Sequence, residues 1–190
     1  MFSFPGRNSA RDAVDLAYHR IVEQARQPVF FTDYGVPDTV DGRFELICLH
    51  AFLYFHRLKE DRPRASRFSQ GLFDRIFADF DRSLREMGVG DLSVGTHVKR
   101  MARAFYGRVL SYQAGLAEDD SVLASALARN VFGTASEGEI AAGAMAAYVR
   151  ASVSGLCRQP AEELLAGRVS FEVPPRLGAN TPFSLVGETR

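Results

Sequence analysis

MGVGDLSVGTHVKRMARAFYGR (Met87–Arg108) is the stretch whose reading decides the fold. Three glycines stand in its first nine residues, and Gly90 and Gly95 enclose four residues as the glycines of a phosphate-binding loop do. Read that way, the chain would be α/β, with a strand leading in and a nucleotide seated on the turn. The flanking residues argue otherwise. Such a loop needs a lysine directly after its second glycine and a Ser or Thr after that, whereas Thr96 and His97 follow here. The dinucleotide fingerprint fails as well, because Gly88 and Gly90 supply its first two glycines and Ser93 stands in place of the third.

What precedes the stretch is a helix. Phe68, Leu72, Phe73, Ile76, Phe77, Phe80, Leu84 and Met87 recur with helical period, while Asp74, Arg75, Asp79, Arg82 and Arg85 take other positions. Gly88 then suits a left-handed helix cap. Ser93 is expected to cap the next helix, with Leu92 packing back on its first turn. The glycine stretch is therefore an interhelical connector, and the chain it joins is all-α.

The helix launched from this connector has two faces. At about 100° per residue, Met101, Ala102, Phe105, Val109, Tyr112 and Leu116 lie within about sixty degrees of Val98, and Lys99, Arg100, Arg103 and Arg108 fall elsewhere. No acid occurs from Leu92 to Ala117. The basic side is either a solvated face or a cationic docking strip for an acidic or phospholipid-rich surface. Reversing the charge of Arg103 together with Arg108 is expected to weaken docking and, if the face is exposed, to leave folding nearly intact.

Working outward, a helix is expected from Ser9 to Gln27, ended by Pro28, and a second from about Asp41 to Glu60. The second contains LICLHAFLYF, nine apolar residues in ten, which marks a helix wrapped by others. Charged residues close it well short of the roughly 18 apolar residues that a membrane span needs. Between these two helices, PVFFTDYGVPD reads as a loop pinned by Phe30, Phe31 and Tyr34. Further helices are expected from about Ser121 to Val131 and from Ser136 to about Leu156, the latter opened by a capping box at Ser136 and Glu139, with a short turn after Pro160. The result is a single bundle of about six to seven helices over residues 1–167, followed by an extended or mobile tail over 168–190.

Composition narrows the function classes. The 190 residues balance 23 basic against 23 acidic side chains, so no global field favours nucleic acid, and specific DNA binding is not expected. Cys48 and Cys157 lie far apart in apolar segments and are expected to be reduced and buried. The N-terminus lacks the apolar core of a signal peptide, from which a cytoplasmic protein is expected. His19, His50, His56 and His97 form no i, i+4 pair, so no metal, cofactor or catalytic site is expected, and His50 reads as a core histidine. One apolar groove is conceivable, bordered by Phe30, Phe31 and Tyr34 and by the small residues Ala141, Gly143, Ala144 and Ala147; the bland alternative is that these pack within the domain's own core.

Two stretches together resemble the ubiquinol-cytochrome c chaperone family: YGVPDTVDGRFELICLH (Tyr34–His50) and DRSLREMGVGDLSVGTHVKRMARAFYGR (Asp81–Arg108). The residues that carry the resemblance are Tyr34, Asp38, Asp41, Gly42, Arg43, Phe44 and Glu45 in the first, and Asp81, Arg82, Gly88, Gly90, Asp91, Lys99, Phe105, Tyr106, Gly107 and Arg108 in the second. Thr96 and His97 depart from it, standing where a more basic pair is expected. The resemblance implies an all-helical assembly factor that binds newly made cytochrome b and helps to build the cytochrome bc1 complex. It implies a client contact, for which Phe30, Phe31, Tyr34, Arg82, Lys99, Arg100, Arg103, Tyr106 and Arg108 are the candidate residues. A peripheral position at the inner face of the inner membrane, or on the ribosome, is compatible with it. Two other functions remain to be weighed: a ribosome- or nucleic-acid-binding module using the basic helix, and an enzyme with an anion site at Gly88 to Thr96.

Overall fold

In the computed structural model, which describes the backbone of residues 7–133 and 138–177, the chain runs through α1 (Arg7–Ala25), α2 (Pro28–Thr32), α3 (Val40–Leu58), α4 (Arg62–Glu86), α5 (Asp91–Ala117), α6 (Asp120–Leu127), α7 (Gly138–Cys157) and α8 (Ala161–Leu165). A single 3-10 turn (Lys59–Asp61) joins α3 to α4, and α6 widens into a π turn over Ala128–Phe132. No strand occurs among the described residues. The all-α expectation and the bundle of about six principal helices hold.

Helix α3 is the axis of the bundle. It touches α1, α4, α5, α7 and the π turn, and every residue from Glu45 to Tyr54 is buried. That explains why LICLHAFLYF is apolar all round: each side of the helix meets a different neighbour. Its start is fixed by Thr39, whose hydroxyl accepts the Gly42 N–H at 3.1 Å. Gly42 cannot be larger, because a Cβ there would run into the Pro37 carbonyl of the preceding turn.

The boundaries shift in instructive ways. PVFFT is a helical turn rather than a loop, with Pro28 in the first turn, where its missing N–H costs nothing. Pro63 does the same for α4, which begins at Arg62, six residues ahead of the expected Phe68. Between α4 and α5, Gly88 has φ of 84°, its N–H donates to the Arg85 carbonyl and the Val89 N–H to the Leu84 carbonyl. This paired closure is the one that glycine caps form. The cap of α5 is Gly90, however, and Ser93 sits one turn inside, its hydroxyl donating to the Gly90 carbonyl at 2.8 Å. Leu92 packs on nothing and is fully exposed.

Two further expectations meet the structure. Residues 168–177 are extended, but they are held against the body: Val169 is buried, the Gln159 side chain bonds both the N–H and the carbonyl of Ser170, and Gln24 donates to the Glu172 carbonyl at 2.9 Å. The rest of the expected tail and the capping box at Ser136 lie outside the described residues. Cys48 is buried as expected, whereas Cys157 is exposed, because it is the last residue of α7 and the core contact there is made by Leu156.

Candidate docking face on the basic helix

Helix α5 divides its cations between two environments. Arg108 turns inward and makes a two-pronged ion pair with Glu45 of α3, a residue 63 positions away that is only 7% exposed. The guanidinium also lies 5.5 Å from the centre of the Phe44 ring, which packs on Phe80 of α4. Burial pushes the Glu45 carboxyl above its ordinary range, and the Arg108 hydrogen bonds and charge pull it back. A buried carboxylate of this kind depends on its partner. Arg108 is therefore part of the joint between α3, α4 and α5 and is not a free docking cation, so the exposure on which its reversal would leave folding intact does not hold at Arg108.

Lys99 and Arg103 face outward and have no ion-pair partner among the described residues. Arg100 is also exposed and, among the described residues, meets only His97, at 2.9 Å. On the same side stand three exposed apolar side chains, Leu92 ahead of the cations and Tyr106 at 57% and Leu110 at 68% beyond them. On a helix of about 100° per residue, Leu92, Lys99, Arg103, Tyr106 and Leu110 lie within about forty degrees of one line. The opposite side carries the buried Phe105 and Tyr112. Tyr106 is braced from beneath by Phe73 of α4, the rings 5.7 Å apart and nearly parallel. The face is thus apolar at its two ends and cationic between them, with Arg100 to one side. Leu92 and Leu110 escaped the sequence reading of contact residues; extending the α5 wheel to its outer side would have found them.

The other candidates fall elsewhere. Phe30 and Tyr34 are buried and Phe31 is half-buried. Phe30 packs against Tyr34, His50 and Tyr148, with ring centres 5.8, 5.4 and 5.3 Å away. Phe171 of the extended segment then covers His50 edge-on at 5.3 Å. The groove imagined beside Phe30 is filled from within, so Phe30 and Tyr34 offer no surface to a partner in this structure. Ala142 and Ala146 of α7 are core residues while Ala147 is exposed. Arg82 is exposed but is held by Asp79.

Nor does the connector cradle an anion. The first turn of α5 carries Asp91, paired with Arg85, so an acid already occupies the positive end of the helix. His50 is a core histidine: Nδ1 meets the Leu46 carbonyl at 2.7 Å, Nε2 meets the Tyr148 hydroxyl at 2.9 Å, and burial lowers its pKa to about 4. No group of three or more His, Cys, Asp or Glu side chains that could hold a metal occurs among the described residues. Nor, among those residues, is any helix long and apolar enough to cross a membrane.

The chain is similar to known proteins. The family profile described as "Ubiquinol-cytochrome C chaperone" matches residues 32–171, from the end of α2 into the extended segment. A Xenopus laevis protein named ubiquinol-cytochrome-c reductase complex assembly factor 1 is 25% identical over 148 residues, covering 78% of this chain and 74% of its own. The Saccharomyces cerevisiae protein CBP3, mitochondrial, is 29% identical over 150 residues. That match takes in 77% of this chain but 44% of the yeast protein, so the chain spans less than half of that relative's length. The crystal structure of the Cbp3 homolog from Brucella abortus superposes with a TM-score of 0.79 at 39% identity, over 87% of this chain and 92% of that one.

Proposed function

The chain belongs to the ubiquinol-cytochrome c chaperone family, and from that premise we propose that it is an assembly chaperone of the cytochrome bc1 complex whose client is newly made cytochrome b. The observation that carries the reading is the span of the family match, residues 32–171, which takes in the α3, α4 and α5 joint and the exposed face built on it. A client made of apolar helices needs apolar surface on its chaperone. The outer side of α5 offers it in Leu92, Tyr106 and Leu110, with Lys99, Arg100 and Arg103 between them along the helix. On this reading the protein works in the cytoplasm, peripheral to the inner face of the inner membrane.

Copurification tests it. Tagged protein should retain cytochrome b, and a deletion strain should lose assembled bc1 complex, read from haem b absorbance and quinol oxidation. Normal bc1 levels in the deletion strain together with no cytochrome b in the pulldown would sink the proposal.

A further inference from the structure

The tip and outer side of α5 have a more specific chemistry than a generic contact surface. Met87 and Leu92 flank the Gly88 turn, Met87 half exposed and Leu92 wholly so, at the corner where α4 hands over to α5. Neither is drawn into the core, although large apolar side chains are usually buried. The acids at this corner are engaged: Asp91 by Arg85, Asp81 by the same guanidinium at 2.7 Å, and Glu86 by Arg82 at 4.0 Å. Behind the corner come Lys99, Arg100 and Arg103, and no acid occurs up to Ala117.

From Leu92 to Leu110 the line of exposed residues runs about 27 Å at 1.5 Å per residue. It follows the crest of a single helix, and a depression lined by Glu118, Asp119, Asp120, Ser121 and Arg150 lies beyond the far end of that helix. A convex crest with apolar side chains towards its two ends and cations between them, all on one side of the helix, matches a flat anionic surface with an apolar layer beneath. A nucleic-acid backbone would use the cations but has no place for Leu92 and Leu110. Tyr106, apolar in body and polar at its tip, suits the boundary between headgroups and acyl chains.

We infer that the outer face of α5 docks on an anionic lipid surface, with Leu92 entering the headgroup layer and Lys99, Arg100 and Arg103 pairing with lipid phosphates. The inference rests on the reading of this face as the partner face of the chaperone. It sets the protein with α5 flat on the membrane, where a client of membrane helices would be handed over.

The chain contains no tryptophan, so Leu92→Trp, at a fully exposed position, introduces a single reporter. Vesicles of phosphatidylglycerol with phosphatidylcholine should shift its emission to the blue and shield it from aqueous iodide. Vesicles of phosphatidylcholine alone should not, and raised salt should release the protein. Lys99→Glu with Arg103→Glu should weaken cosedimentation by more than tenfold, since each cation at an anionic surface contributes about fivefold. Unshifted emission with phosphatidylglycerol vesicles, while cytochrome b still copurifies, would overturn the lipid surface and leave the chaperone reading standing. A blue shift without cytochrome b copurification would uphold the lipid surface and remove the chaperone reading. Binding to RNA in place of vesicles would also overturn the inference.

Discussion

Helices α4 and α5 are neighbours of similar length joined by one glycine turn, and both are rich in arginine, yet they treat charge in opposite ways. On α4, Arg75 meets Asp15 at 2.7 Å, Arg82 meets Asp79, and Arg85 meets Asp81 and Asp91. On α5, Arg108 is paired inside the bundle, whereas Lys99 and Arg103 are paired with nothing among the described residues. From Arg75 to the end of α4 each arginine meets an acid, whereas α5 leaves Lys99 and Arg103 open; Arg62 and Arg67 in the first two turns of α4 are also without an ion pair among the described residues. The lesson is that an arginine's role follows from what the fold sets opposite it, and Arg103 and Arg108 differ entirely in this respect while standing five residues apart on one helix.

The sharpest way to break this contrast is Arg108→Ala. It strands the Glu45 carboxylate among α3, α4 and α5, and stability should fall by about 3 to 5 kcal/mol in urea unfolding. Replacing both partners with leucine should recover most of that loss, and a loss below about 1 kcal/mol for the single change would erase the difference between the two sides of α5. Acid extends the contrast to α3. An unfolded His50 takes up a proton near 6.5 and the folded one only near 4, so stability should fall as pH drops through that window. The loss should reach about 3 kcal/mol, and His50→Gln should flatten the slope.

Smaller effects sharpen the comparison. Asp81→Ala on α4 removes an exposed partner of Arg85 and should change stability by about 0.5 kcal/mol or less. Lys99→Glu with Arg103→Glu should leave the unfolding free energy from urea titration within about 0.5 kcal/mol of the parent while impairing recovery of bc1 activity in a deletion strain. Full complementation by this double variant would reduce the open side of α5 to solvation.

Much of the fold was legible because periodicity is local information. The α4 pattern and the all-round apolar run of α3 identify helices without reference to any neighbour. The ends were less legible. Pro28 and Pro63 look like breakers in sequence, but each sits in the first turn of a helix, where proline is accommodated. Of the contact candidates, Lys99, Arg100, Arg103 and Tyr106 stand exposed together on α5. Phe30 and Tyr34 do not join them, because an aromatic residue beside a turn can face either way, and here Tyr148 and His50 draw Phe30 inward.

From sequence alone come the all-α class, the connector in place of a phosphate loop, the family resemblance and the acid-free run from Leu92 to Ala117, all properties of residues near one another in the chain. Tertiary structure alone decided which of those residues remain available. Glu45 and Arg108 are 63 positions apart and meet only when α3 and α5 pack, and Phe171 closes over His50 only once the chain has returned past α7. Exposure depends on contacts between distant segments, and a local pattern holds no record of them.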